Sequence, residues 1–591
     1  MRKLLLATSA AALALTLSGQ AYAELEKIPA SATVAPPETT TPHGLLFSKD
    51  ADDAKPMEQP APAEAKPAEP ATPAPTAAAP TLSAEDTAVA EQLRDILENK
   101  LSQFVPKDKD RAGVLAFYRA RNFAPIWVAG GKASPAVAQA ATFLQRVGAD
   151  GLDPADYPVP EFSNTEPAKL AANELALTNS VVTFARHASI GRVAFSRASG
   201  AVYYDQKAPN PADVLGKLAE SKDVSASLDA YNPQSPGYKA LKTELAAVRR
   251  GPEAQPAMAP APKAPEAKAD KKSKHHAAEP KAAAHEVKSK SAKIDTILAN
   301  MERWRWMPHD LGAAYVMVNI PDYTLKLVQN GKTVWSTKIV VGKPGTHATP
   351  LLTETMKYIT VNPTWNVPPS IIKNEYLPAL ARDPGALTRI GLQMSHNPDG
   401  SIRIFQPPGE RNALGRIRFN FPNRFLVYQH DTPDKNLFAK SERAYSHGCM
   451  RVQNPDQYAE ALLGVSQPEE KYTAKRISSM YGTSERTINF KHPIPVYITY
   501  QTAFTDDAGK PQDRKDIYGL DKDVMALLHG DRRVADVPVA RNYNSSSTPV
   551  KSAAGGRGRD EARTSFGWGN SPAYQQNYQS AYQPQDRNTV W

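Results

Sequence analysis

Apolar and polar positions recur with different periods in different parts of the chain. Val89, Leu93, Ile96, Leu97 and Leu101 follow i, i+3 and i+4 spacing, the mark of an amphipathic helix. Phe117, Tyr118, Phe123, Ile126 and Trp127 then add aromatic mass for a core. Ser134 is placed to cap a helix with Pro135 at its first position, and Val137, Ala141, Leu144 and Val147 would line its apolar face. Asp150-Gly151 and Asp153-Pro154 are turn signals. The pattern predicts a mostly α-helical domain over residues 84–250, in which nothing looks catalytic and the lone His187 reads as structural. After residue 293 the period shortens. Ile294–Arg305 is a short helical lead-in, followed by stretches rich in Val, Ile, Thr and Tyr: Ala314–Ile320, Thr324–Gln329, Thr333–Val341, Tyr358–Val361, Ile402–Phe405, Phe425–Gln429 and Val496–Tyr500. Asn330-Gly331 between two of them is a strong hairpin cue. Residues 293–530 therefore read as a predominantly β domain, and the chain as an α+β multidomain protein with long disordered segments.

Three stretches have no usable period. Residues 24–83 hold 12 prolines among much Ala, Glu and Thr, and read as a disordered tether. Residues 251–292 are dominated by Ala, Lys and Pro, with a basic cluster at Lys271, Lys272, Lys274, His275 and His276, and read as a solvated linker. Residues 531–591 are rich in Ser, Asn, Gln, Gly, Arg and Tyr and read as a disordered tail, despite the spacing of Tyr574, Tyr578 and Tyr582. At the start, Arg2 and Lys3 precede an apolar run, Leu4–Leu17, and the small-x-small site Ala21-Tyr22-Ala23. That layout predicts a cleaved export signal over residues 1–23, with no membrane span after cleavage. The formal net charge is +10, which on an exported chain points to an anionic polymer such as a cell wall and away from nucleic acid.

Export sharpens the cysteine count. The chain has one cysteine, Cys449, so no disulfide is available, and a lone thiol in an exported protein is either an accident or a nucleophile. Tyr428-Gln429-His430-Asp431-Thr432-Pro433 ends an apolar strand, and Ser446-His447-Gly448-Cys449-Met450-Arg451-Val452 follows. A thiol with an ordinary pKa near ~8.5 needs a base, most often a histidine near it in space. His430 is the preferred base, with His447 the rival, since its near-adjacency to Cys449 points it elsewhere. Gly448 lets the backbone approach a substrate, and N–H groups at Gly448 and Cys449 could receive an oxyanion. A metal site at His430, His447 and Cys449 lacks ligand spacing, and an inert buried cysteine is the plain alternative.

Ser446-His447-Gly448-Cys449, preceded at this distance by a strand-end histidine, resembles the L,D-transpeptidases, the cysteine enzymes of the bacterial cell wall. Val361–Pro368, Gln406-Pro407-Pro408-Gly409, Asn412-Ala413-Leu414-Gly415 and His430-Asp431-Thr432-Pro433 look like the large multidomain branch. So do Phe117-Tyr118, Pro125-Ile126-Trp127, Asp150-Gly151-Leu152 and Gly191-Arg192 in the helical part, which would then be a scaffold domain. The resemblance implies a periplasmic enzyme without cofactor or metal. Cys449 would attack a peptidoglycan tetrapeptide stem, release D-Ala, and pass the thioester to a second stem in a 3→3 cross-link. His430 would serve as base and acid, and Tyr428 as a hydroxyl donor to the oxyanion. Ser446 and His447 would shape the loop, and Arg451 would hold a stem carboxylate or form a structural salt bridge. Residues 368–420 would act as a lid. Water as acceptor (an L,D-carboxypeptidase), an outer-membrane protein as acceptor, and a non-catalytic wall-binding scaffold are the rivals.

Overall fold

The computed structural model describes residues 81–251, 279–397 and 400–530. The expected export signal at 1–23, the expected tether up to residue 80, most of the expected linker and the expected tail at 531–591 lie outside the described residues. Helix Ala84–Asn99 is capped by Ser83, whose Oγ accepts from Asp86 N–H at 3.1 Å. It buries Val89, Ala90, Leu93 and Leu97 against the long helix Pro167–Ile190. Ser134 does precede helix Pro135–Arg146, but its hydroxyl reaches back to Ile126 C=O, and Ala140 rather than Ala141 is buried. Glu174 sits at the centre of this core. Burial raises its carboxyl to about 7, and it accepts from Ile126 N–H (2.7 Å), Trp127 N–H (2.9 Å) and Tyr118 Oη (2.8 Å).

The packing does not divide at the composition change near residue 250. Val193, Val202, Tyr204, Tyr238, Leu241 and Leu245 belong to the same buried cluster as the β strands. A second correction concerns the linker, because a helix spans Glu279–Arg305 and so begins within it. Ala, Lys and Glu are strong helix formers without an apolar stripe, so periodicity could not find this part. The helix ends in a buried polar cluster. Glu302 Oε1 accepts from Val193 N–H at 2.7 Å, Glu302 pairs with Arg305 at 3.0 Å, and Arg305 donates to Tyr238 Oη at 3.0 Å. Glu302 and Arg305 thus each gain a partner from another element besides one another, as buried charges require.

Among the described residues ten strands form the main sheet. In chain order they are β1 (Val202–Tyr203), β2 (Ala314–Asn319), β3 (Thr324–Gln329), β4 (Lys332–Gly342), β5 (Leu351–Val361), β6 (Ile417–Asn420), β7 (Gln429–His430), β8 (Ala444–Ser446), β9 (Met450–Val452) and β10 (Arg486–Thr499). They are hydrogen-bonded in the order β6-β7-β9-β4-β3-β2-β10-β5-β1, with β8 beside β4, and β6 also pairs with β5. Eight strands from β5 round to β10 thus close on themselves, leaving fewer free edges. The β3–β4 hairpin turns at Asn330 and Gly331, whose φ values of 50° and 74° suit a type I′ turn. The expected strand at Phe425–Gln429 is shorter than read, since only Gln429 and His430 enter the ladder. Asn423 Oδ1 accepts from Phe425 N–H (3.0 Å) and Val427 N–H (3.3 Å), and Leu426 turns outward at φ 57°.

Between β5 and β6 the chain builds a small body with its own core of Val367, Ile371, Ile372, Leu387, Leu392 and Ile404. Its antiparallel sheet joins Trp365–Asn366, Ile402–Gln406 and Gln393–His396. Buried Asn412 closes the base, donating to Pro363 C=O (3.0 Å), Gln406 C=O (3.1 Å) and Pro407 C=O (2.9 Å). Among the described residues no helix is long and apolar enough to cross a membrane.

Candidate active site

Strand register assembles the site. β7 runs parallel to β9, pairing Gln429 with Met450 and His430 with Arg451, and antiparallel to β6, pairing His430 with Arg418. Directly paired residues point to the same face of a sheet. Arg418, His430 and Arg451 therefore form one row, while Phe419, Gln429 and Met450 face the opposite side, where Phe419 and Met450 join the core. Just before the ladder, Met450 N–H donates to Tyr428 C=O at 3.0 Å, which sets Cys449 beside Tyr428. The Tyr428 and His430 rings meet edge to face at 5.7 Å, and the Arg418 guanidinium lies 5.7 Å from the Tyr428 ring.

His430 has a fixed tautomer. Its Nδ1 lies 2.5 Å from Asp431 C=O. A carbonyl only accepts, so Nδ1 carries the proton and Nε2 keeps its lone pair. Asp431 is held in turn. Its carboxylate accepts from Thr432 N–H (2.7 Å), Arg416 N–H (2.8 Å) and Lys435 Nζ (2.5 Å). Gly415 packs against that carboxylate at φ 62°, and a Cβ there would lie 2.3 Å from Asp431 Cγ. Burial, then the Arg451 charge, drive the His430 pKa down to about 3. Burial pushes the Cys449 thiol up to about 11, opposed by hydrogen bonds from the Tyr428 backbone and side chain and by Arg418 and Arg451. Both shifts disfavour a preformed thiolate–imidazolium pair.

The loop that carries Cys449 is pinned from inside. Ser446 Oγ accepts from Gly448 N–H at 3.1 Å and donates to Cys449 C=O at 2.5 Å. Gly448 adopts φ 117°, which favours glycine, and its carbonyl accepts from Thr349 Oγ1 at 2.8 Å. The Gly448 N–H, expected to face an oxyanion, here donates to Ser446 Oγ. His447 turns away from Cys449, its Nε2 lying 2.8 Å from Glu375 Oε1. Arg451 pairs with Asp434 at 2.9 Å. Arg418, Asp431 as the holder of His430, Thr349 and Glu375 were not singled out from the sequence. Their contacts depend on register and on distant loops that no local motif encodes.

A closed β domain that carries Cys449 next to Tyr428, and a tautomer-fixed His430 on the neighbouring strand, follows a helical domain. Residues 313–498 match the family model of the L,D-transpeptidase catalytic domain, and residues 112–245 match that of the Scaffold domain. A Haemophilus influenzae protein provisionally named an L,D-transpeptidase is 30% identical over 254 residues, covering 40% of this chain and 50% of that protein. The match thus spans about half the length of that curated relative. The L,D-transpeptidase from Mycobacterium smegmatis is 15% identical, with a TM-score of 0.17 over 33% of this chain and 60% of its own. The catalytic domain of the E. faecium L,D-transpeptidase is 15% identical, with a TM-score of 0.16 over 32% of this chain and 99% of that one.

Proposed function

We propose that the protein is a periplasmic L,D-transpeptidase that forms 3→3 cross-links between peptidoglycan stems through a Cys449 thioester. The observation that carries this reading is His430, with Nδ1 held on the Asp431 carbonyl and Nε2 left basic on the face it shares with Tyr428, which hydrogen-bonds the Cys449 thiol. As Sγ bonds to the carbonyl carbon of the third stem residue, the thiol proton passes to His430 Nε2. Tyr428 Oη and the Cys449 N–H are the candidate donors to the oxyanion. Collapse breaks the bond to D-Ala, whose amine takes the proton from His430. The side-chain amine of a second stem then attacks the thioester and yields its proton to His430, and the thiol is restored. Because the thiol and imidazole start neutral, proton transfer belongs to the attack itself. Iodoacetamide alkylation of Cys449 should therefore climb about tenfold per pH unit from pH 7 to 9 without levelling off. A plateau near neutrality would point instead to a resting thiolate.

The deciding test incubates the protein with disaccharide-tetrapeptide and reads the products by mass spectrometry, with Cys449→Ala as control. A cross-linked dimer lacking one D-Ala, absent in the control, is the expected result. A D-Ala-less monomer alone would make the acceptor water. No turnover would leave a protein acceptor or a non-catalytic scaffold, separated by whether a carbapenem adds its mass to Cys449.

A further inference from the structure

The lid meets the nucleophile loop through side chains that the reaction above leaves unused. His447 Nε2 donates to Glu375 Oε1 at 2.8 Å, and the two side chains keep 35% and 45% of their exposure. Glu375 lies on a π-helical turn, Ile372–Tyr376, within the small body that packs around Ile371 and Ile372. Such turns are rare and concentrate at functional positions. On its other side, His447 meets the ring of His347 edge-on, with centroids 4.5 Å apart. The loop carrying His347 is tied to the nucleophile loop, since Lys343 N–H donates to Ser446 C=O at 3.0 Å and Thr349 Oγ1 to Gly448 C=O at 2.8 Å. It has little room to shift, because a Cβ at Gly342 would lie 1.9 Å from His347 C=O. His447 is therefore held between a loop tied to the sheet and the small body that carries Glu375, two residues from Cys449.

We propose that Glu375 is a positioning residue, which couples seating of the lid to the geometry of the nucleophile loop by gripping His447; this rests on the transpeptidase reading. An exposed pair of this kind adds little to folding stability. Its effect lies in what it joins. With the lid seated, His447 is fixed from both sides and the segment from Ser446 to Cys449 is held at both ends. With the lid raised, His447 loses one support and Cys449 becomes open to solvent. A stem must enter while the contact is broken and react when it is remade.

The test uses the full chain and the single thiol. Glu375→Ala should raise the iodoacetamide rate at Cys449 about fivefold, as the lid spends more time unseated. The same variant should lower kcat for D-Ala release about tenfold with little change in KM, because the bound stem meets a loosened loop. Glu375→Gln keeps an acceptor for His447 and should restore both values to within about twofold of the parent protein. Lys373→Ala, on the same turn, should change neither. An unchanged alkylation rate in Glu375→Ala, or an equal rise in Lys373→Ala, would overturn the proposal. If the parent protein releases no D-Ala, the transpeptidase reading has failed, and alkylation still reports whether Glu375 governs access to Cys449.

Discussion

Two regions hold a histidine whose pKa its surroundings push down, one half-buried and one buried, and they surround it differently. In the helical region His187, in the last turn of the long helix Pro167–Ile190, meets Tyr157 Oη at 3.0 Å through Nδ1. At the rim of the catalytic sheet His430 uses the same atom on Asp431 C=O. Burial, then neighbouring arginines, push both pKa values down to about 3. The electrostatics alone would not say which is the base. Beside His187 are an aromatic ring and a hydroxyl whose own titration is pushed far up by burial. Beside His430 is Tyr428, which also hydrogen-bonds the one thiol in the chain. A perturbed histidine marks a functional site only when a reacting group shares its face.

The largest difference between the regions should appear on removing each ring. His430→Ala should lower D-Ala release by about 10²–10⁴-fold, the usual worth of a general base, with the fold kept. His187→Ala should leave kcat within about threefold and lower unfolding stability by roughly 1–3 kcal/mol. Turnover and urea melts on the two variants check this, and comparable losses of turnover would erase the distinction.

The supporting glycines extend the comparison. Gly415→Ala would drive a Cβ into the Asp431 carboxylate at a left-handed φ of 62°, loosening the carbonyl that fixes His430. A ten- to hundredfold loss of kcat is expected, because misplacing a catalytic group by about 1 Å costs that much. Gly191 plays the matching part at the scaffold joint, at φ 90° with a Cβ position 2.7 Å from Glu302 Oε1. Gly191→Ala should cost stability, by about 1–3 kcal/mol of strain, and spare the rate per folded molecule.

Acid should affect both histidines alike. Each has a folded pKa depressed below the ordinary value of about 6.5, so the fold favours the neutral ring. That stability is complete above pH 6.5 and drains away as pH falls toward 3. Between pH 7.5 and 5.0 each histidine should cost the fold about 2 kcal/mol by linkage. His187→Gln and His430→Gln should each remove about that much of the acid loss in urea melts. The variant-minus-parent difference is the useful readout, because Glu174, raised to about 7, contributes with the opposite sign as pH rises.

The histidine and cysteine were legible in the sequence because each sits in a compact motif whose chemistry is local. The strands were legible where Val, Ile and Thr alternate and a turn cue such as Asn330-Gly331 closes them. Arg418 was not, since its place opposite His430 exists only through antiparallel pairing of β6 with β7. The first part of helix Glu279–Arg305 escaped because it shows no apolar stripe, whereas Ile294–Arg305 was legible. Part of the helical region joins the catalytic core because β1 pairs with β5, a contact between residues some 150 apart in the chain. Asn412 was visible as a motif residue, but its three carbonyl partners, and hence its job of closing the lid's base, came only from the fold.

The smallest effect expected separates a hydroxyl that holds a backbone from one that holds a ring. Ser446 Oγ bridges Gly448 N–H and Cys449 C=O, so Ser446→Ala frees both groups within the nucleophile loop. Thr349 still grips the Gly448 carbonyl from the other side, so the loop should sag rather than unfold. A three- to tenfold fall in kcat is expected, in line with about 1 kcal/mol for one net hydrogen bond. Tyr157→Phe removes the hydroxyl from His187 and should cost a similar amount of stability, about 0.5–1.5 kcal/mol, with no change in rate. Paired rate and melting measurements on these two variants place the same loss of hydrogen bonding on opposite axes. If Ser446→Ala left the rate unchanged, the loop geometry would have to come from Gly448 and Thr349 alone.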